Sequence, residues 1–202
     1  MRRLNAPLVR DVLQTFLLTV LFFVVVQTFV GQPYQVEMHS MQGTLEPGQY
    51  VFVDKLTPRF DSYHRGDIVV FGAPEEAGRQ EGVPFIKRVI GVPGDTVEIH
   101  DGLVFVNGRA LDEPYVFADA FGAQPTETGD RASWRVDDGE LFLMGDHRTE
   151  SVDSRAFGPV PIGSVVGRAW LRYWPLDSVA ILGGGTAQAA RAEPSLEPSP
   201  AP

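Results

Sequence analysis

The 202-residue chain contains no cysteine, which removes disulfide staples, thiolate nucleophiles and cysteine-ligated metal from its chemistry. The compartment stays open, because an extracytoplasmic bacterial domain need not carry disulfides. Positive charge is also scarce: 17 Lys and Arg stand against 26 Asp and Glu, a formal net charge of −9. A nucleic-acid partner would want a basic face, so none is expected. Lysine itself is nearly missing, since Lys55 and Lys87 are the only two and every other basic residue is arginine. Arginine keeps its proton near neutral pH, whereas a desolvated lysine can act as a base. Codon bias with chance survival accounts well enough for Lys55 taken alone. The body of the chain also lacks a long amphipathic helix and any internal repeat.

A hydrophobic content of 44% is enough for a real core, and one compact domain is the default at this length. Residues 1–11 form a short head carrying Arg2, Arg3 and Arg10, and residues 12–30 then run without a formal charge. At about 1.5 Å per residue this run is long enough to cross a hydrocarbon core as a helix. The positive-inside tendency places the basic head in the cytoplasm and the remainder outside. A cleaved signal peptide would have a shorter apolar core and a small-x-small site, and Val30-Gly31-Gln32-Pro33-Tyr34 offers no such site. The run therefore reads as a retained anchor, with a buried core helix as the alternative because of Gln14 and Gln27. Only Gly31 to His39 separate it from Ser40, a reach of roughly 30 Å at full extension.

Residues 31–182 are expected to form an extracytoplasmic β-rich domain, and from Gln49 on the texture is that of a β protein. Tyr50 to Val53, Asp67 to Phe71 and Phe85 to Ile90 are short β-branched and aromatic runs bounded by turn residues. Val97 to His100 and Leu103 to Val106 flank Asp101-Gly102, a hairpin signal because a type I′ turn needs positive φ at both central residues. Asn107-Gly108 marks a second turn, and strand texture returns at Glu140 to Met144 and Val165 to Tyr173. Residues 73–83 read as a hairpin loop and 117–133 as a loop or small excursion. From 183 to 202 the chain turns to Gly, Ala, Pro, Ser and Glu, and a disordered tail is expected.

Three stretches carry chemistry. Glu37-Met38-His39-Ser40-Met41-Gln42-Gly43-Thr44-Leu45 offers a serine near the membrane surface, a weak signal by itself. Phe85-Ile86-Lys87-Arg88-Val89-Ile90-Gly91 places a lysine in an apolar strand, where lost hydration pushes it toward its neutral form. Moving such a lysine from about 10.4 to near 8 costs on the order of 3 kcal/mol, which the fold must supply. The plainer account is that Lys87 and Arg88 alternate on a half-exposed strand with one of them in water. Gly145-Asp146-His147-Arg148-Thr149-Glu150-Ser151-Val152-Asp153-Ser154-Arg155 is dense enough in Asp, Arg and Ser for a buried hydrogen-bonded network in which a hydroxyl orients the lysine. An ordinary solvated loop with surface ion pairs is the alternative.

Taken in order, these stretches resemble the boxes of bacterial signal peptidase I, a membrane-bound Ser/Lys endopeptidase family. The resemblance covers the anchor, Ser40-Met41 with Thr44-Leu45, Arg65-Gly66-Asp67-Ile68-Val69, Lys87 to Gly91 with Pro93-Gly94-Asp95, and Gly145-Asp146 through Arg155. It implies Ser40 as nucleophile, Lys87 as general base and Ser151 as the hydroxyl that positions the lysine, with Asp146, Asp153 and Arg155 as structural supports. An extended substrate would lie beside Val36, Glu37, Met38 and His39 on one side and Pro84, Phe85 and Ile86 on the other. The implied reaction removes signal peptides from exported preproteins after small residues, at Ala-x-Ala-like sites. It needs neither metal nor cofactor. The implied fold is mainly β, a compact antiparallel sheet domain with a small cap or hairpin excursion, preceded by one transmembrane helix in the cytoplasmic membrane. Partners are preproteins and the lipid bilayer; oligomeric state is left open.

The chain departs from the family pattern at Gly43, where Pro is common, at His147, where Asn is usual, and at Met38. Some members carry at that last position a serine that helps bind the oxyanion, and methionine offers no donor. Two competing readings remain. One keeps Ser40 but takes His39, His64, His100 or His147 as its base. The other is a catalytically weak or inactive membrane-tethered β domain that binds extended peptides.

Overall fold

The computed structural model describes residues 6–56, 58, 60–77, 83–129 and 131–183. The expected disordered tail falls almost wholly outside them, as do Arg2 and Arg3. Helix α1 spans Ala6–Val25 and continues through a wider π-type turn, Val26–Val30. It starts within the segment read as a polar head. Pro7 is tolerated in a first helical turn, where its missing N–H has no partner to lose, and Arg10 and Asp11 pair on the helix surface at 3.5 Å. The apolar span is 24 residues, Pro7–Val30, and none of it is buried against the body.

Among the described residues fourteen strands follow: β1 Gly31–Gln35, β2 Tyr50–Asp54, β3 Ile68–Gly72, β4 Pro84–Gly91, β5 Thr96–His100, β6 Leu103–Val106 and β7 Arg109–Ala110. After these come β8 Ala118–Asp119, β9 Gly122–Ala123, β10 Ser133–Arg135, β11 Glu140–Met144, β12 Val160–Pro161, β13 Val165–Trp174 and β14 Ala180–Ile181. A four-residue helix α2, Ser154–Phe157, precedes β12. The main sheet runs in the order β1-β2-β13-β3-β4-β11-β12 with β14 on β13, and a smaller sheet runs β10-β5-β6-β7. All pairings among the described residues are antiparallel. The fold is thus mainly β behind one apolar helix.

Both turn signals are realised: Asp101 and Gly102 have φ of 54° and 76°, Asn107 and Gly108 have 53° and 74°. Strands β3 and β4 pair antiparallel on either side of the expected 73–83 loop, of which 78–82 lie outside the described residues, and the small excursion is the β8–β9 hairpin. Strand β1 was not visible in the sequence, because Gly31-Gln32-Pro33-Tyr34-Gln35 has no apolar alternation. It forms as an edge strand that pairs β2 over its whole length. Three apolar clusters fill the body, and the one around Val36, Met41, Leu45, Val51, Val53, Ile68 and Val70 lies directly beneath the Ser40 turn.

Candidate active site

Ser40 is placed by what surrounds it in the chain. Val36 donates its N–H to Gln49 O at 2.8 Å and accepts from Gly48 N–H at 2.8 Å, tying the chain to the start of β2. Met38 is extended, with φ −124° and ψ 159°, and His39–Met41 then form one 3-10 turn. Met41 and Leu45 are fully buried and fix that turn to the core. Ser40 is 2% exposed. As the middle residue of the turn, its N–H precedes the first bond made within it, Gln42 N–H to His39 O.

Lys87 comes from β4, a central strand between β3 and β11, where it stands opposite Val69. Successive side chains of a strand point to opposite faces, and here both faces are covered: Lys87 and Arg88 are each 3% exposed. The half-exposed account of this strand therefore fails. Lys87 Nζ donates to Ser40 Oγ at 2.5 Å. With the amine neutral, the same two atoms carry the bond in the opposite sense, hydroxyl to amine. The ring of Phe85 lies 5.1 Å from Nζ.

The third stretch enters from β11, beside β4. Gly145 is pressed against the site so closely that a Cβ there would overlap Ser151 Oγ and Cβ and the Ser40 carbonyl oxygen. His147 N–H donates to that same carbonyl at 3.1 Å. Ser151 Oγ is buried and has no partner of hydrogen-bond geometry among the described residues, although its hydroxyl faces Asp153 and helps hold that carboxyl down. Asp153 accepts from Gly145 N–H at 3.0 Å and from Arg155 Nε and Nη2 at 2.8 Å each. Burial alone would raise the Asp153 carboxyl; Arg155 and the Gly145 amide outweigh it, and the net shift is downward.

Asp146 pairs with Arg88, the neighbour of Lys87 in β4. It takes both arms of Arg88, at 2.8 and 2.6 Å, and the Thr44 hydroxyl at 2.6 Å. Burial works against the Arg88 guanidinium, but Asp146 holds it more firmly charged than usual. Arg88 also reaches Gly66 O at 2.9 Å and stacks on Tyr115 at 4.0 Å. The network thus pins the residues after Ser40 to the strand that carries Lys87.

Two supports escaped the sequence reading. Arg148, its side chain fully buried, bridges Gly145 O at 3.0 Å to Glu113 at 2.6 and 3.1 Å and also donates to Thr126. Glu113 lies 35 residues away, and no local pattern announces the pairing. His147, read as a departure and as one of four alternative bases, packs its ring 4.5 Å from Phe117. Of the histidines, His39, His64 and His100 are exposed, and His147 approaches Ser40 through its backbone.

A cleft of about 330 Å³ leads to the pair. Residues 33–38 line one side and 83–87 the other, over Val51 and Val70. Of the residues the resemblance places beside a substrate, Val36, Glu37, Met38, Pro84, Phe85 and Ile86 line this cleft and His39 does not. The β1 residues Pro33, Tyr34 and Gln35 were not expected there. Both walls run in chain direction toward Ser40 and Lys87, the arrangement an extended peptide laid between two strands would need.

The family model for signal peptidase, peptidase S26, matches residues 9–174. The chain belongs to the signal peptidase S26 family. Its relatives include two proteins of Synechocystis sp. (strain ATCC 27184 / PCC 6803 / Kazusa). Probable signal peptidase I-1 is 38% identical over 81% of each chain. Probable signal peptidase I-2 is 35% identical over 84% of this chain and 75% of that one. Signal peptidase I of Bacillus licheniformis is 33% identical over 82% of this chain and 89% of its own. Among solved structures, a signal peptidase I from Enterococcus faecalis V583 superposes with a TM-score of 0.41 at 32% identity, over 54% of this chain and 97% of that one. Membership of the S26 family rests on the sequence matches.

Proposed function

We propose that the chain is a membrane-anchored serine endopeptidase that removes signal peptides from exported preproteins, with Ser40 as nucleophile and Lys87 as general base. The observation that carries this reading is the buried 2.5 Å contact between Lys87 Nζ and Ser40 Oγ at the end of an extended cleft. Burial disfavours the ammonium form of a lysine, which is what a general base requires. Neutral Lys87 takes the Ser40 proton as Oγ attacks the carbonyl carbon of the scissile peptide. Collapse of the tetrahedral intermediate breaks the C–N bond, and the leaving amine takes the proton back from Lys87. Water, deprotonated by the same amine, then attacks the ester; its C–O bond breaks and Ser40 recovers its proton.

Ser151 is the candidate for orienting the amine, and Asp146, Asp153 and Arg155 hold the loop that carries it. The oxyanion would be met by the Ser40 N–H. Met38 contributes no donor, and loss of one such donor elsewhere has cost roughly 3 to 4 kcal/mol. Shallow pockets over Val51 and Val70 would suit small side chains beside the scissile bond, hence Ala-x-Ala-like sites. The apolar span Pro7–Val30 is long enough to hold the domain at the bilayer, with the N-terminus inside by the positive-inside tendency.

A preprotein cleavage assay comparing wild type, Ser40→Ala and Lys87→Arg tests the mechanism. Both variants are expected to lose activity by about 10³-fold or more, as removal of a member of a catalytic unit does elsewhere. Lys87→Arg keeps the charge and removes the base, so full activity in it would overturn the proposal. Wild type indistinguishable from Ser40→Ala would instead favour a peptide-binding domain without catalysis.

A further inference from the structure

Lys55, the second of only two lysines, takes no part in the site. It stands where the apolar helix meets the sheet. The last helical residue, Val30, and the first strand residue, Gly31, are consecutive, so no linker separates anchor from domain. Gly31 N–H donates back to Val26 O, and Lys55 N–H donates to Val30 O at 2.9 Å. The Lys55 ammonium spans the junction, donating to Gln27 O at 3.3 Å on the helical side and to Gln32 Oε1 at 2.5 Å on the strand side. A helix C-terminus favours a cation, so this lysine suits the end it caps. Gly31 lies flat on β2: a Cβ there would come within 2.6 Å of the Phe52 ring and of Val53 O. From Gly31 the chain runs five paired residues to Gln35 and then Val36, tied at both its N–H and C=O. Ser40 follows four residues on.

We infer that Lys55 is a positioning residue that locks the anchor to the catalytic sheet, so that the Ser40–Lys87 pair stands at a fixed height above the bilayer and that height selects the bond cut in a membrane-inserted preprotein. The inference rests on the peptidase reading for its consequence but not for its geometry. A flexible tether would let the domain sample many heights; a helix that becomes a strand without an intervening loop does not.

The absence of cysteine allows a direct test in the full chain reconstituted in vesicles. Spin labels on Leu18→Cys and Leu103→Cys, both at exposed positions, report the distance between anchor and domain. A narrow distribution is expected in the otherwise native chain, with broadening in Lys55→Gln and in a variant carrying a flexible Gly-Ser insertion after Val30. Lys55→Arg, which keeps the donors, should restore the narrow distribution. In cleavage assays, the insertion and Lys55→Gln should leave hydrolysis of a soluble signal-type peptide unchanged. Cleavage of a vesicle-inserted preprotein should fall about tenfold and spread to neighbouring bonds, as small misplacements of reacting groups do. A broad distribution in the native junction, or an insertion variant that cuts the inserted preprotein at the same bond and rate, overturns the inference. If wild type cuts neither substrate, the peptidase reading fails, and the spin-label distances decide the junction by themselves.

Discussion

A methyl group on Gly145 would overlap the Ser40 carbonyl oxygen and Ser151 Oγ, so this residue decides how closely the third stretch can approach Ser40. Gly145→Ala is expected to lose about 1–3 kcal/mol in thermal unfolding, as overpacked sites do. Its kcat on a signal-type peptide should fall by on the order of 10²-fold, because the turn that meets Ser40 must shift. Unchanged kcat in a folded variant would show that the approach is not needed. Lys87 was legible at this scale because lysine is so rare and its neighbours so apolar. Arg148 was not: its partner Glu113 is local only in space.

The element that matters most is the segment leaving β11, residues 145–155, held by Asp153 and Arg155. Asp153 accepts from Gly145 N–H and caps α2 through Arg155 N–H, while Arg155 also ties down Arg148 O at 2.8 Å. Asp153→Asn should destabilise the chain by about 3–5 kcal/mol, the usual cost of breaking a buried pair from one side. The Asp153 carboxyl is held below its ordinary value of 3.8. Its contribution to stability is therefore complete above that value and lost as pH falls through the lower folded-state value. Acid unfolding followed by circular dichroism should be less pH-dependent in Asp153→Asn; an unaltered acid limb would count against this role. Among the elements, β5 and β6 with their two turns could be read directly, since positive φ selects Asp-Gly and Asn-Gly locally. Strand β1 could not, because a polar edge strand is fixed by its partner rather than by its own pattern.

At the scale of the whole molecule, α1 is exposed along its length and the sheets are built without it. A chain beginning at Gly31 is expected to fold with a melting temperature close to that of the full chain and to lose most of its vesicle association in flotation assays. Unchanged flotation would place the lipid contact on the sheet, where Trp174, 49% exposed, is the first residue to replace by Ala. The sequence by itself determined the apolar span, the β texture, the two hairpin turns and the three stretches bearing Ser40, Lys87 and Ser151. These depend on local periodicity, turn stereochemistry and composition, all of which are written along the chain. Only the tertiary structure decided that β4 is covered on both faces, which buries Lys87 and Arg88 together. It also decided that Asp146 pairs with Arg88, that β1 walls the cleft, and that Lys55 joins helix to sheet. Each of these follows from strand order and register, which bring residues 23, 47 and 58 positions apart within hydrogen-bonding distance and leave no trace in any single window of sequence.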